Sequence, residues 1–343
     1  MTDTMRALVI RGPRTARVEQ VAIPAPDAGQ VVVDVRRVGI CGTDIELFTG
    51  EMAYYAQGKA WFPLRPGHEW CGTVSVLGDG VDAAWYGARV IGDTMLGCGR
   101  CARCRTGRGH VCADRYELGI LGGWPGALAE KVLVPVTSLH RLPDTVDDRA
   151  GALVEPGGNA WRAAAAAVEG WGAGPGARVL VWGAGTIGLL TAAFAHAAGA
   201  EVHVLALDRT RQDLAHSLGA DRFWTPGAMP DYLFSAVIDC TDDPETPAAA
   251  VERVEPAGRL VYIGLSSRPS LVDTRHLVLS DITAVGILGA SAGLAAAIDH
   301  YADGRVTPGP LVKATVGLDR AAEALAGALP DAPGTKIHID PTA

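Results

Sequence analysis

Residues Val179–Asp208, VLVWGAGTIGLLTAAFAHAAGAEVHVLALD, decide how this chain of 343 residues folds. A short apolar run ends in a glycine-rich turn, an alanine-rich segment of helical character follows, and a second apolar run ends at Asp208. A strand, a tight turn, a helix and another strand in that order predict a βαβ unit and therefore a parallel sheet. Further apolar runs at 235–240 and 259–264 predict more strands of the same sheet.

The turn itself has the spacing GxGxxG, in Gly183-Ala184-Gly185-Thr186-Ile187-Gly188. In a dinucleotide-binding unit the first glycine permits the tight turn, the second admits a pyrophosphate and the third lets the helix pack closely. The helix N-terminus offers free N–H groups to the phosphate. Asp208 is placed to accept hydrogen bonds from the adenosine ribose, which favours NAD, while Arg209 and Arg211 leave NADP as an alternative. A glycine-rich turn without a nucleotide fits less well, because strand, spacing and acid agree.

The rest of the chain lies on either side of this segment. Residues 1 to about 152 contain β-branched runs separated by glycine and proline, which predict a β-rich domain. Residues from 290 onward alternate predicted helices with short strands, the last at 336–339. The fold class predicted for the whole chain is α/β, with a β-rich domain beside a doubly wound parallel sheet.

Composition and charge exclude several classes of protein. Hydrophobic residues make up 48% of the chain and charged residues 20%, which suits a large core and excludes extensive disorder. A net charge of −8 argues against nucleic acid or an anionic membrane surface as a partner. No apolar run reaches the roughly 20 residues of a bilayer span. The start MTDTMRALVI lacks the pattern of a secretory signal, so a cytoplasmic location is expected.

Four cysteines lie close together in one loop: Cys98, Cys101, Cys104 and Cys112. Four thiolates at this spacing can surround one ion tetrahedrally and leave no position for a substrate, so they predict a structural zinc. Nearby arginines would offset the negative charge of a zinc–thiolate centre. A basic nucleic-acid-binding zinc module is disfavoured by the acidic chain. An iron–sulfur cluster is chemically compatible with four thiolates, whereas four cysteines this close together without any metal would be unusual.

A second group of possible metal ligands is spread along the first half of the chain. Cys41 precedes Gly42-Thr43-Asp44, His68-Glu69 lies between a proline-rich loop and a strand, and Glu155 follows later. One thiol, one imidazole and one or two carboxylates can hold zinc with an open coordination position. Spacing alone does not establish that these residues converge.

Taken together, these motifs resemble the zinc-containing medium-chain alcohol and polyol dehydrogenases over essentially the whole chain. The pattern Gly67-His68-Glu69-x2-Gly72-x5-Gly78-x2-Val81 matches the zinc signature of that family, and the cysteine loop and the GAGTIG turn follow in its order. The resemblance implies a GroES-like catalytic domain at 1–155 with a structural zinc lobe at 92–115, a Rossmann domain at 156–289 and a return to the catalytic domain at 290–343. It also implies a homodimer or a homotetramer.

The resemblance further assigns roles to individual residues. Cys41, His68 and either Glu69 or Glu155 would ligate a catalytic zinc, and the choice between the two glutamates stays open. Glu155 stands where alcohol-type members have a cysteine. A glutamate at this position resembles the sorbitol, threonine and glucose dehydrogenase branches.

Other positions of the resemblance concern proton transfer and the cofactor. Thr43 would contact the substrate oxygen and begin a proton relay. Glu46 replaces a histidine that many members have at the outer end of that relay, and the alternative is a solvated acid on a helix face. Gly264 and Leu288 match positions near the nicotinamide ring.

The sequence therefore predicts an oxidoreductase with two zinc ions per chain. It would transfer a hydride between NAD and the secondary alcohol of a polyol, cyclitol, amino-alcohol or sugar-like molecule, or reduce the ketone. A primary-alcohol or aldehyde dehydrogenase of the same family is one alternative. A non-catalytic, zinc-stabilised nucleotide-binding protein is another.

Overall fold

The computed structural model describes residues 3–168, 176–329 and 334–343, which divide into two compact units. Unit 1 takes in the described residues of 1–155, 312–332 and 336–343, and unit 2 takes in those of 156–311 and 333–335. Unit 2 is thus inserted in sequence between two parts of unit 1. The chain rejoins unit 1 at Val312 and not at residue 290, because the helix Leu294–Ala302 packs within unit 2, where Tyr301 stacks on Phe194.

Unit 1 is β-rich, as the sequence predicts. Its strands are β1 (Thr4–Gly12), β2 (Thr15–Ala22), β3 (Gln30–Gly39), β4 (Glu69–Leu77), β5 (Arg89–Gly92), β6 (Met95–Leu96), β7 (Tyr116–Glu117), β8 (Lys131–Pro135), β9 (Leu139–Arg141), β16 (Val312–Gly317) and β17 (Lys336–Asp340). Its short helices are α1 (Gly42–Thr49), α2 (Ala53–Ala56), α3 (Ala102–Arg105), α4 (Asp148–Gly151) and α11 (Ala321–Leu325).

The main sheet of unit 1 has the order β16-β17-β3-β4-β5-β9, with β8 also paired to β3. β3 runs antiparallel to β4, β8 and β17, and its valines are covered on both faces, which explains why its sequence alternates only in part. The register places Gly39 opposite both Glu69 and His338. The end of β3, the start of β4 and the C-terminal strand therefore meet at one place.

Unit 2 is the doubly wound parallel sheet predicted from Val179–Asp208. Its strands are β10 (Arg178–Trp182), β11 (Glu201–Leu205), β12 (Arg222–Trp224), β13 (Phe234–Asp239), β14 (Val254–Tyr262) and β15 (Thr283–Gly286). Its helices are α5 (Val154–Val168), which begins at the end of unit 1, α6 (Thr186–Ala197), α7 (Gln212–Ser217), α8 (Thr246–Val251), α9 (Thr274–Leu279) and α10 (Leu294–Ala302).

The strand order of unit 2 is β12-β11-β10-β13-β14-β15, and every pairing is parallel. This is the Rossmann order, in which the direction of winding reverses between the first and fourth strands. A ligand crevice is expected at the carboxyl ends of those strands, here β10 and β13. Within the described ranges, no helix has the length and apolar character needed to cross a bilayer.

Candidate active site

One cluster of possible metal ligands lies where β3 ends and β4 begins. Cys41, His68 and Glu69 each offer one ligand atom, and these atoms lie within 4.8 Å of one another. His68 and Glu69 are buried, and Cys41 is half-buried. Glu69 Oε2 is buried without a hydrogen-bond partner among the described residues. A thiol, an imidazole and a carboxylate with an unsatisfied buried oxygen fit a zinc ion that keeps an open coordination position.

Asp44 supports this cluster from the first turn of α1. Its fully buried carboxylate accepts hydrogen bonds from the Cys41 N–H at 2.9 Å and the Gly67 N–H at 3.1 Å, and it lies 3.4 Å from His68 Nδ1. Burial raises the pKa of Asp44, but the charge of His68 and these donors outweigh burial and hold the pKa below its usual range. A carboxylate behind a ligating histidine fixes the orientation of the imidazole.

Two glycines allow the backbone segments to approach this closely. A Cβ at Gly39 would lie 2.3 Å from Glu69 Oε2. Gly67 has a φ of +98°, and a Cβ there would lie 2.6 Å from the backbone nitrogen of Leu128. Any side chain at either position would displace His68 or Glu69 from its place in the cluster.

The other residues predicted for the reaction lie outside this cluster. Thr43 is half-buried in the first turn of α1, and Glu46 is exposed three residues later on the same helix face. Glu155 is half-buried in the first turn of α5 and is not one of the clustered donors. The structure thus brings together three of the four donors predicted for this site, and the roles of Thr43, Glu46 and Glu155 stay predictions.

The cysteine lobe has the geometry of a tetrahedral metal site. Sγ–Sγ distances are 3.9 Å for Cys98 and Cys104 and 3.8 Å for Cys101 and Cys112, and all four sulfurs lie within 4.8 Å of one another. Sulfurs about 2.3 Å from a central zinc are separated by about 3.8 Å along the edges of a tetrahedron. The four cysteines therefore fit a closed, structural zinc.

Three arginines of the cysteine lobe form hydrogen bonds or ion pairs with nearby groups of the same chain segment. The guanidinium groups of Arg103 and Arg105 each donate a hydrogen bond of 2.8 Å to a backbone carbonyl of the lobe. Arg115 forms an ion pair of 2.7 Å with the buried Glu117. These contacts brace the loop that carries the cysteines, which favours a structural role for the three arginines over contact with nucleic acid.

In unit 2, a cavity of about 790 Å³ lies at the carboxyl ends of β10, β11, β13 and β14. Gly183 begins the turn after β10 with a φ of +109°. A Cβ at Gly188 would lie 1.9 Å from a backbone carbonyl, whereas a Cβ at Gly185 would meet nothing within 4 Å. Gly188 is thus confined by packing, and Gly185 borders open space in the cavity, where a pyrophosphate can approach the N-terminus of α6.

Asp208 lines the same cavity just beyond the end of β11. The backbone N–H of Thr210 donates a hydrogen bond of 2.8 Å to its carboxylate, and hydrogen bonds from Thr210 lower the pKa of Asp208, so it is ionised at neutral pH. Arg211 also lines the cavity and donates to the Ala184 carbonyl at 3.1 Å. A carboxylate here can accept both ribose hydroxyls of NAD and repels the 2′-phosphate of NADP.

The remaining residues predicted to bind the cofactor divide into two groups. Ile187 and Gly264 line the cavity. Thr186, Arg209 and Leu288 are not among its described lining residues. The Thr186 hydroxyl lies 2.8 Å from another threonine hydroxyl, Arg209 donates to a glutamine of α7, and Leu288 is 46% exposed.

Comparison with known proteins identifies the family. A family model described as an alcohol dehydrogenase GroES-like domain matches residues 27–144, and one described as a zinc-binding dehydrogenase matches residues 186–303. The chain is 32% identical over 306 residues to an L-threonine 3-dehydrogenase of Pyrococcus horikoshii, with 84% of each chain covered. The chain belongs to the zinc-binding alcohol dehydrogenase family.

Two solved structures of similar proteins agree with this assignment. An alcohol dehydrogenase of Escherichia coli CFT073, RspB, in complex with NADH, is 27% identical to this zinc-binding dehydrogenase and superimposes with a TM-score of 0.88 over 98% of this chain and 99% of that one. A 2R,3R-butanediol dehydrogenase of Bacillus subtilis is 26% identical and superimposes with a TM-score of 0.86 over the same shares of the two chains. The protein is therefore an oxidoreductase whose family uses zinc and a nicotinamide dinucleotide.

Some residues of the two sites in this dehydrogenase are not evident as site residues from the sequence motifs. Asp44 follows Cys41 in the sequence without a predicted role, although an acid three residues after a helix-capping position is a recognisable signal. Lys336 lies 2.8 Å from Glu69, and the alternating sequence of its strand, KIHID, does not distinguish it from a lysine that faces solvent. Thr241 and Asp242 line the dinucleotide cavity because they follow β13, the strand at the reversal of winding.

Proposed function

We propose that this dehydrogenase oxidises a secondary alcohol with NAD, or reduces the corresponding ketone with NADH. The observation that carries the proposal is the convergence of Cys41, His68 and Glu69 in a chain of this family. A donor set of one sulfur, one nitrogen and one oxygen leaves a position for a substrate oxygen, unlike the closed set of four cysteines in the lobe. Asp208 at the dinucleotide cavity supports NAD over NADP.

The substrate class that we propose is a polyol, cyclitol, amino-alcohol or sugar-like molecule. Two of the relatives described above are named for L-threonine and 2R,3R-butanediol, and in both molecules the hydroxyl lies on a secondary carbon beside a second polar group. Glu69 and Asp44 make the cluster more polar than a site built from cysteine and histidine alone. Such a site suits an alcohol with further hydroxyl or amino groups better than a simple aliphatic one.

The chemistry divides between the cofactors and the chain. When bound, zinc lowers the pKa of the alcohol and stabilises the developing negative charge, and NAD accepts the hydride. Asp44 keeps the His68 imidazole oriented, and Gly185 leaves room for the pyrophosphate. Thr43, two residues after Cys41, receives the alcohol proton through its hydroxyl, and Glu46 on the same helix face passes it outward.

A substrate panel tests this function. NADH formation is followed at pH 8 with polyols, cyclitols, amino-alcohols and simple primary alcohols, and turnover is expected only in the first three groups. The variant C41A should lose turnover and fall from two bound zinc ions per chain to one, because it removes one donor of the open site. Turnover confined to primary alcohols would favour a primary-alcohol dehydrogenase, and wild-type protein with one zinc and no turnover would favour a non-catalytic nucleotide-binding protein.

We also propose that the protein is a homodimer that works in the cytoplasm. β15 is an edge strand of its sheet and most of its residues are exposed, and Val278 and Leu279 at the end of the preceding helix α9 are each 80% exposed. An antiparallel pairing of two β15 strands is self-complementary and would cover these groups. None of the seven cysteines forms a disulfide, which suits a reducing compartment.

The assembly is tested by sedimentation equilibrium of wild type and of the variant L279E. A charge at this edge should shift a dimer to monomer. A wild-type monomer, or an L279E variant that remains dimeric, would contradict the proposed interface.

A further inference from the structure

A buried lysine contacts the cluster formed by Cys41, His68 and Glu69. Lys336, in the C-terminal strand β17, is 3% exposed, and its Nζ lies 2.8 Å from each oxygen of Glu69, which is 1% exposed. It donates a hydrogen bond to Oε1, while Oε2 lacks the geometry of a hydrogen bond. Lysine is almost never fully buried without a partner, so this contact accounts for its position.

The same ammonium group also contacts the backbone segment that carries Cys41. Lys336 Nζ donates a hydrogen bond of 3.0 Å to the carbonyl of Ile40, the residue just before Cys41. The backbone of β17 adds a hydrogen bond of 2.9 Å from the Ile40 N–H to the Ile337 carbonyl. Lys336 therefore ties the segment that carries Glu69 to the segment that carries Cys41.

The charges around the cluster explain why a cation is needed there. Cys41, Asp44 and Glu69 bring three acidic groups into a site from which water is largely excluded. A lysine together with a divalent cation balances three negative charges, whereas a divalent cation alone does not. Because Glu69 shares its charge with Lys336, it is a weaker ligand than a carboxylate whose only cationic neighbour is the metal.

We propose that Lys336 is a positioning residue that holds Glu69 back from the metal, so that Glu69 yields its coordination position to a substrate oxygen. This inference rests on the proposed function, because it requires a metal at Cys41 and His68. It addresses the choice between Glu69 and Glu155 as ligands: a carboxylate held by an ammonium group is the exchangeable donor. Lys336 itself touches neither the substrate nor the metal in this scheme.

The test measures how firmly cobalt is held, independently of turnover. Co²⁺ is introduced at the open site of protein that retains zinc in the lobe, and its release to a chelator is followed by the loss of the cobalt–thiolate absorption from Cys41. In K336M, Glu69 is freed to bind the metal, so release should slow about tenfold, an effect similar in size but opposite in sign to the loss of affinity that follows when a residue supporting a metal ligand is removed. K336Q, which can still donate to the Ile40 carbonyl, should slow release in the same direction and is the substitute if K336M does not fold.

Two comparisons separate positioning from a general effect of charge. Lys131 pairs with Asp34 elsewhere in the same sheet, where both side chains are partly exposed, so K131M removes an ion pair away from the cluster and should leave cobalt release unchanged. In an E69Q background the effect of K336M should disappear, because the freed ligand is absent. Equal release rates in K336M and wild type, or the same slowing with and without Glu69, would overturn the inference while leaving the proposed function intact. Wild-type protein that takes up no cobalt at Cys41 would overturn both.

Discussion

We predict that the buried histidine of the C-terminal strand lowers the stability of this protein in mild acid. His338 on β17 is completely buried, and neither of its ring nitrogens has a hydrogen-bond partner among the described residues. Burial, reinforced by the charges of Lys336, Arg37 and Arg149, lowers the pKa of His338 to about 3. The folded protein therefore keeps a neutral imidazole at a pH where the unfolded chain has already taken up a proton.

The sign and size of the effect follow from this difference in pKa. Above pH 6.5 His338 is neutral in both states and its titration does not affect stability, whereas protonation of the unfolded chain progressively destabilises the fold as the pH falls from 6.5 toward 3. The titration of His338 should lower the free energy of unfolding by about 2 kcal/mol between pH 8 and pH 5, since one pKa unit corresponds to about 1.4 kcal/mol. The variant H338L removes this titration and two unsatisfied polar atoms while keeping an apolar group of similar size, so it should be at least as stable as wild type at pH 8.

The assay is urea unfolding followed by circular dichroism at several pH values between 8 and 5. Carboxylates and zinc ligands titrate in both proteins, so the difference between wild type and H338L isolates His338. H140L serves as a graded control, because His140 is only half-buried and burial lowers its pKa as well, so it should recover less stability. The reasoning would be refuted if H338L and wild type lost the same free energy of unfolding between pH 8 and pH 5, within about 0.5 kcal/mol, the usual size of a surface substitution's effect.

Three further predictions concern the cofactor sites. D208A should raise the KM for NAD about tenfold or more while changing kcat little, because charge-assisted hydrogen bonds to the ribose are lost; an unchanged KM would remove Asp208 from the site. C104S should lose the lobe zinc and lower Tm, whereas C71S, which replaces a buried cysteine outside both clusters, should keep two zinc ions per chain by metal analysis. G188A should lower Tm because its Cβ would lie 1.9 Å from a carbonyl, whereas G185A should fold normally and bind NAD more weakly in calorimetry; equal Tm losses would contradict this distinction.

Local sequence patterns were sufficient for the cysteine lobe and the dinucleotide unit. The donors Cys98 to Cys112 lie within one loop, and the chain between them is too short to separate them widely. The turn from Gly183 to Gly188 joins a strand to the helix that directly follows it, so its spacing fixes its geometry. Both features depend on residues that are neighbours in sequence, and for that reason they could be predicted.

The sequence indicated the candidate donors of the open metal cluster, but it did not predict which of them lie close together. Cys41 follows β3 and Glu69 begins β4, and they meet because the antiparallel register places Gly39 opposite Glu69. Which of the two predicted glutamates joins Cys41 and His68 depends on that register and on the absence of a side chain at Gly39. Pairing between distant strands is not encoded in either segment alone.

The sequence by itself determined the family, the fold class and the types of donor available to each site. Only the tertiary structure placed Lys336 against Glu69 and Ile40, because β17 joins β3 from the opposite end of the chain. Only the tertiary structure placed the His338 side chain out of contact with water, since its burial comes from the sheet and not from its sequence neighbours. The charge balance and acid response of this dehydrogenase depend on contacts between residues far apart in sequence, and those contacts exist only once the strands have paired.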